Sequence, residues 1–196
     1  MLYGPAVHSN EDAGEDLDIF PDYDARVIVQ RNGKFEEFTA RWGFPPLKRD
    51  WQIITNIRNL ESWWWKERNR EFMTGDYYRC IIPFSKFAEP PRKPVWFRIK
   101  SRSVSFFAGI FMPWSGERLT KIKGKSRRVK KEKDWLLFAF LTTAPNEIIK
   151  PYHSGSMPVI LSTQREVEDW FCGGIETLKK AQKPIENKFL GCLNPR

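Results

Sequence analysis

The chain has 196 residues and a formal net charge of +9, with 41% hydrophobic and 15% aromatic residues. This length is most simply one domain that buries a sizeable core, and the apolar content excludes a disordered chain. The first 25 residues lack Lys and Arg, and the longest apolar run, 135–141, is too short to span a bilayer, so we expect neither a secretory signal nor a membrane partner. Three cysteines without C-x-x-C spacing argue against a disulfide framework or a zinc site. We therefore expect a reduced, cytoplasmic, monomeric protein without metal or cofactor.

The positive charge is concentrated in one segment. Residues 118–133 contain nine Lys or Arg and one Glu, which gives +8, whereas residues 11–24 contain seven acids. A basic run of this kind can neutralise nucleic-acid phosphates, or it can be a solvated hairpin loop, and both interpretations stay open. We expect residues 1–18 to be an acidic, flexible N-terminal segment and residues 19–196 to form the domain.

The first half of the chain predicts a hairpin followed by a helix. Strands are predicted at 26–30 and 34–42, joined by Asn32-Gly33, which accepts the positive φ of a type I′ turn. The run 43–46, Gly-Phe-Pro-Pro, ends the second strand. Asn59 is the predicted N-cap of a helix over 60–70. The three consecutive tryptophans at 63–65 would point about 100° apart on that helix, so they cannot all face one core.

The second half is rich in strands. Apolar runs with many Phe, Ile and Val occupy 78–83, 95–100, 103–112, 134–143 and 159–161. Several are too continuous for one-sided strands, which indicates strands covered on both faces. Thr163 and Glu166 form a capping box for a helix that ends near Cys172, and a short helix over 176–182 follows. The predicted fold is a single α+β domain, built on a strongly bent mixed or antiparallel β-sheet, barrel-like, with a few peripheral helices.

Several polar residues stand where strands or loops could present them for chemistry. Glu89 follows an apolar strand, where partial burial would raise its pKa for acid–base work, although a solvated turn residue is the simpler interpretation. His153 lies in a small-residue loop that gives access for proton transfer, or it is a surface histidine. Asn56 could orient a reacting group or serve a turn. Arg58 and Arg79 could hold phosphates or pair with the acidic N-terminal segment.

In combination, these residues belong to a series of short motifs. The series, in chain order, is Arg41-Trp42-Gly43, Thr55-Asn56-Ile57-Arg58, Arg79-Cys80-Ile81-Ile82-Pro83, Phe84-Ser85-x-Phe87-x-Glu89, Phe107-Ala108-Gly109-Ile110, Phe140-Leu141-Thr142-Thr143 and His153-x-x-x-Met157-Pro158-Val159-Ile160-Leu161. The chain therefore resembles, over about residues 19–172, the SOS-response-associated peptidase family of abasic-site processing proteins, in its proteobacterial form.

The resemblance implies a DNA-damage protein of the SOS response whose partner is single-stranded DNA with abasic sites. In the family the initiator Met is removed, and the amine and thiol of an N-terminal Cys condense with the sugar aldehyde into a covalent protein–DNA thiazolidine. By motif match, Asn56 positions the sugar, Glu89 shuttles protons, and His153 assists ring opening and crosslink reversal. Arg58 holds a flanking phosphate. The implied enzyme combines hydrolase-type (protease) self-processing with lyase-type DNA chemistry.

Three further positions match motifs that line the family's DNA groove, namely Trp42, Gly43 and Thr142. Aromatic stacking of bases tolerates any sequence, which suits a sensor of lesions.

The chain departs from the family pattern at its start. It opens Met1-Leu2-Tyr3 where the family has Met-Cys, and no cysteine precedes Cys80, which the strand pattern places in the core. A thiazolidine cannot form without the N-terminal thiol. The loop 154–156, Ser-Gly-Ser, also lacks the Arg or Lys that the family usually carries before Met-Pro.

Three hypotheses follow from this departure. The first is an active family member whose recorded start is wrong or altered. The second is a chain whose Met1 amine alone attacks the aldehyde as a Schiff base. The third is a non-catalytic single-stranded nucleic-acid binder that uses the basic run 118–133 and exposed Trp side chains.

Overall fold

The computed structural model describes residues 6–9, 17–46, 52–89, 94–121 and 127–194. These residues form thirteen β-strands and three short α-helices. The strands are β1 Ala6–Ser9, β2 Leu17–Ile19, β3 Asp24–Arg31, β4 Lys34–Trp42, β5 Asn56–Ile57, β6 Arg79–Phe84, β7 Lys86–Glu89, β8 Val95–Ile99, β9 Ser105–Thr120, β10 Val129–Thr143, β11 Met157–Pro158, β12 Ile160–Leu161 and β13 Leu190–Cys192. The helices are α1 Arg70–Thr74, α2 Gln164–Phe171 and α3 Ile175–Ala181.

Five strands close into a mixed barrel. The order β10-β4-β3-β6-β9 returns to β10 because β9 and β10 also pair with each other. Most pairs are antiparallel, but β4 and β5 each run parallel to β10. The short strands β11 and β12 extend this sheet at β10 and β9. The predicted α+β class with a bent, barrel-like sheet and few helices is confirmed.

A second sheet has the order β13-β8-β7-β1-β2. It contains β1 and β2, which lie within or at the border of the acidic N-terminal segment. Strand β1 runs antiparallel to β7, with Ala6 opposite Ala88 and Val7 opposite Phe87. The N-terminal end of β1 therefore lies at the end of β7 that carries Glu89.

Two apolar clusters fill the two sides of the barrel sheet. Along β10, Phe138 and Phe140 belong to one cluster, while Leu137, Ala139 and Leu141 belong to the other. Because successive side chains of a strand point to opposite faces, this alternation means that β10 is buried on both sides. The continuous apolar runs predicted this two-sided burial correctly.

Three local predictions are confirmed: a turn, a helix cap and a buried cysteine. Asn32 and Gly33 both have positive φ, at 51° and 75°. The Thr163 hydroxyl accepts a hydrogen bond from the Glu166 amide, and the Glu166 carboxylate accepts one from the Thr163 amide. Cys80 is fully buried.

The predicted helix over 60–70 is wrong. The structure has a π-helical turn at Trp64–Arg68, followed by α1, and the Asn59 side chain accepts a bond from the Glu61 amide rather than capping a regular helix. Consecutive tryptophans explain the difference, because they demand different environments: Trp65 is buried, whereas Trp63 is 62% exposed. No helix in the described part of the chain is long and apolar enough to cross a membrane.

The β9–β10 hairpin is longer than the predicted strands 103–112 and 134–143. Its two strands pair from Phe140 opposite Gly109 out to Val129 opposite Thr120. The described ends of the basic run 118–133 are therefore largely paired strand rather than loop. Residues 122–126 lie outside the described residues.

Candidate functional site

Two polar side chains project from the barrel sheet beside the aromatic cluster. Asn56 in β5 lies opposite Phe140 in the parallel pair, and Thr142 follows Phe140 by two positions on the same face of β10. The Oδ1 atom of Asn56 and the Oγ1 atom of Thr142 are both buried and have no hydrogen-bond partner within the described structure. Buried polar atoms are normally satisfied, so two unsatisfied ones on one face indicate a place for a polar ligand.

Glu89 and His153 form a close pair. The Nδ1 atom of His153 lies 2.8 Å from Oε2 of Glu89. The Glu89 side chain is 3% exposed and that of His153 is 25% exposed, so only the histidine reaches solvent. Neither atom has a well-aligned hydrogen bond within the described chain, so the contact is a close approach that becomes an ion pair when the imidazole is protonated and the carboxyl ionised. Such a pair can pass a proton between the protein interior and a bound group at the surface.

The surroundings shift both pKa values upwards. Burial raises the pKa of Glu89, and the contact with His153 only partly offsets that effect. The contact with Glu89 raises the pKa of His153, against the opposing effects of burial and of the Arg58 charge. A carboxyl and an imidazole with raised pKa values hold protons closer to neutral pH, as acid–base catalysis requires.

Arg58 lies at the open side of this pair. Its guanidinium donates to the backbone carbonyl of Gly155. Gly155 itself packs against the imidazole, since a Cβ added there would come within 3.0 Å of His153 Nε2. The side-chain amide of Gln182 donates to the carbonyls of Arg58 and Thr142, 2.9 Å to each, and so joins β5 to β10 at the site.

Trp42 and Gly43 lie behind the site. Trp42 is fully buried, stacks on Phe138, and donates its indole N–H to the Thr55 carbonyl at 3.2 Å. This bond fixes the residue directly before Asn56. Gly43 has φ of +115°, and a Cβ there would lie 2.6 Å from the Ile53 side chain, so only glycine fits. The buried indole leaves no surface for a base, and we assign both residues a supporting role.

Other residues are arranged differently from the sequence interpretations. Arg79 is fully buried and donates to the carbonyls of Met73 and Gly174, so it ties α1 to the loop before α3 instead of holding a phosphate. No group of three or more His, Cys, Asp or Glu side chains among the described residues could hold a metal. Clefts of about 510, 360, 370 and 380 Å³ are lined by neither Glu89 nor His153.

Sequence reasoning missed a buried polar centre around Asp22. The Asp22 carboxylate is fully buried and accepts from the Arg118 guanidinium at 3.0 Å, the Thr120 hydroxyl at 3.1 Å and the Lys121 amide at 2.7 Å. Asp22 also has a positive φ of 70°. The turn-rich sequence around it signals a bend, but not a partner almost 100 residues away.

Comparison with known families identifies the class of protein. A model of the SOS response associated peptidase (SRAP) family matches residues 3–192. The chain belongs to this family, and it is therefore a protein associated with the SOS response to DNA damage. The family's peptidase description is consistent with an enzymatic role.

Solved structures share the fold. A protein from Bordetella bronchiseptica is 20% identical with a TM-score of 0.67, covering 95% of this chain and 92% of that chain. A phage-related protein from the same organism is 15% identical with a TM-score of 0.64, covering 98% and 94%. A protein from Bacteroides thetaiotaomicron is 22% identical with a TM-score of 0.62, covering 87% and 73%. The comparison with curated proteins gave no match.

Proposed function

We propose that this protein binds single-stranded DNA at abasic sites, where its pocket activates the ring-opened sugar aldehyde for covalent capture. The observation that carries the proposal is the Glu89–His153 pair, a buried carboxyl in contact with a partly exposed imidazole. Family membership supplies the link to DNA damage. The pair supplies what the chemistry needs, because opening the sugar ring moves a proton from the C1′ hydroxyl to the ring oxygen.

Each neighbouring group has a matching task. The unsatisfied oxygens of Asn56 and Thr142 can take hydrogen bonds from sugar hydroxyls. Arg58 is exposed and close enough to His153 to lower its pKa, so it can exchange its bond to the Gly155 carbonyl for a phosphate that flanks the lesion. Charge-assisted bonds to phosphate are stronger than a bond to a neutral carbonyl, which favours that exchange.

Covalent capture needs a nucleophile beside the pair. An amine that attacks the aldehyde carbon forms an imine and releases water, and a neighbouring thiol then adds across the C=N bond to close a thiazolidine. Cys80 is unsuited, because burial raises the pKa of its thiol and keeps it in the core. The register of β1 supports an N-terminal nucleophile, since Ala6 lies opposite Ala88, next to Glu89. Met1 lies outside the described residues.

One denaturing gel tests the proposal. This chain and a version with Cys inserted directly after Met1 are incubated with abasic single-stranded DNA, with and without borohydride. We expect a stable shift for the Cys version, because removal of the initiator Met leaves a Cys that carries both the amine and the thiol at the N-terminus. A shift of the unaltered chain only after borohydride would assign Schiff-base chemistry to its N-terminal amine. The absence of a shifted band for both proteins would overturn the proposal.

The alternative function is non-catalytic binding of single-stranded nucleic acid. The specific observation that favours it is the set of exposed lysines on the β9–β10 hairpin, far from Glu89 and His153. It requires equal affinity for intact and abasic strands, whereas the proposed pocket requires tighter binding of the abasic strand. Measuring both affinities at one salt concentration separates the two.

A further inference from the structure

The outer part of the β9–β10 hairpin separates its charges by face. Directly opposite residues of an antiparallel pair project to the same side. One face carries the pairs Thr120–Val129, Arg118–Lys131, Gly116–Lys133 and Trp114–Trp135. The other face carries Leu119–Lys130, Glu117–Glu132 and Ser115–Asp134. The first face therefore has three cations and no acid, while the second has three acids and one cation.

The cationic face borders a cleft of about 360 Å³. Its basic lining comes from Arg41, Lys121, Lys131 and Lys133, beside the rings of Tyr23 and Trp135 and the acids Asp18 and Asp24. Arg41 is neutralised by Asp24 at 3.0 Å. In the described part of the chain, no carboxylate lies within ion-pair distance of Lys131 or Lys133.

The lysines are exposed but held in place. The ammonium of Lys133 lies 4.4 Å from the centre of the Trp135 ring, and that of Lys121 lies 5.8 Å from the centre of the Tyr23 ring. These contacts pack the side chains against aromatic rings without neutralising their charge.

Asp22 anchors the hairpin at this cleft. Its carboxylate holds the Arg118 guanidinium, the Thr120 hydroxyl and the Lys121 backbone amide together. Asp22 thereby neutralises the Arg118 charge within the protein. The side chains of Lys121, Lys131 and Lys133, in contrast, line the cleft. The bonds to Asp22 fix this end of the hairpin, and the charges are separated by face. Both features indicate an ordered surface rather than a solvated loop.

We infer that this face of the hairpin, defined by Lys121, Lys131 and Lys133, is a second nucleic-acid site that binds the phosphodiester backbone without regard to the lesion. Lysines two positions apart on a strand lie about 7 Å apart, which suits a polyanion with repeated charges. Lysine binds phosphate as a point charge without fixed geometry, as a sequence-independent contact requires. The surface does not depend on the proposed chemistry at Glu89.

The surface is separate from the pocket. Lys133 precedes Thr142 by nine positions on β10, about 30 Å along the strand. Lys131 and Lys133 are odd-numbered and Thr142 is even-numbered, so the lysines and the threonine project from opposite faces of β10. A strand bound at the pocket alone would therefore not contact these lysines.

The test compares two double variants that remove the same charge. K131Q/K133Q removes two cations from the cleft, whereas K130Q/K150Q removes two exposed cations outside it, each of which lies near a glutamate. Binding of a labelled, undamaged single strand is measured by fluorescence anisotropy across a salt series. We expect K131Q/K133Q to weaken binding several-fold and to reduce the slope of log K against log salt by about 1.4, since each single-strand phosphate contact contributes about 0.7. We expect K130Q/K150Q to keep the parent slope.

Two results would overturn the inference. One is equal salt slopes for the two double variants. The other is that K131Q/K133Q loses binding to phosphatidylserine vesicles but binds the strand like the parent chain. That result would assign the face to anionic lipid. The inference and the proposed function fail separately, because the salt slopes are measured on an undamaged strand, whereas covalent capture needs the abasic site.

Discussion

Glu89 and His153 each change the protonation of the other, and that coupling can be measured one residue at a time. The chain has two histidines, so the ring protons of His153 can be followed in an NMR titration with a single competing signal from His8. The contact with Glu89 is the largest influence that raises the pKa of His153. Burial and the Arg58 charge both act in the opposite direction.

E89Q should therefore lower the pKa of His153. In the parent chain the contact with Glu89 raises the pKa of the imidazole above its ordinary value of 6.5. In E89Q only burial and the Arg58 charge remain, and both lower that pKa. The NMR titration midpoint should therefore move to lower pH. E186Q is the matched control, because Glu186 is exposed and pairs with Lys188 instead. An unchanged midpoint in E89Q would show that the close contact does not govern the histidine.

At the scale of elements, the outer end of the β9–β10 hairpin depends on the buried charge pair of Asp22 and Arg118. Burial lowers the pKa of Arg118, and Asp22 is the neighbour that opposes this by favouring the charged guanidinium. The two side chains are 3% and 1% exposed. Removing one partner of a buried pair leaves the other charge without compensation.

D22N should cost about 3–5 kcal/mol of unfolding free energy, because it leaves the buried Arg118 guanidinium facing a neutral amide. Asn also accepts the positive φ at this position, so the backbone is not the cause of the loss. D24N is the control, since Asp24 is 59% exposed and its ion pair with Arg41 should be worth about 1 kcal/mol or less. Urea unfolding measures both. Equal losses of unfolding free energy for the two variants would contradict this role of the buried pair of Asp22 and Arg118.

What the sequence could predict also differs by element. The type I′ turn and the α2 capping box depend on a few adjacent residues, so the sequence alone predicts them. The interrupted helix at 64–74 was missed because tertiary demands on Trp64 and Trp65 override helix propensity. The Asp22 centre was missed because its partners come from the far end of β9 and from β4.

At the scale of the whole molecule, the fold links separated motifs through a series of contacts: His153 contacts Glu89, Arg58 donates to Gly155 beside His153, and Gln182 donates to the carbonyls of Arg58 and Thr142. Asn56, Glu89, Thr142 and His153 come from β5, β7, β10 and the loop before β11. The sequence order of the motifs predicted the family, but the contact of His153 with Glu89 and the unsatisfied Asn56 oxygen are properties of the folded chain. The register of β1, which sets Ala6 opposite Ala88 next to Glu89, likewise depends on a strand pairing that the acidic composition did not indicate.

The central claim is that Glu89 moves protons for a nucleophile at the N-terminus. The most direct test is the rate of covalent capture of abasic single-stranded DNA by the version with Cys after Met1, with and without E89Q. Acid–base groups contribute about 10²–10⁴-fold to such rates, so at neutral pH we predict that E89Q slows capture by about 100-fold or more. Capture at the parent rate in E89Q would contradict the account.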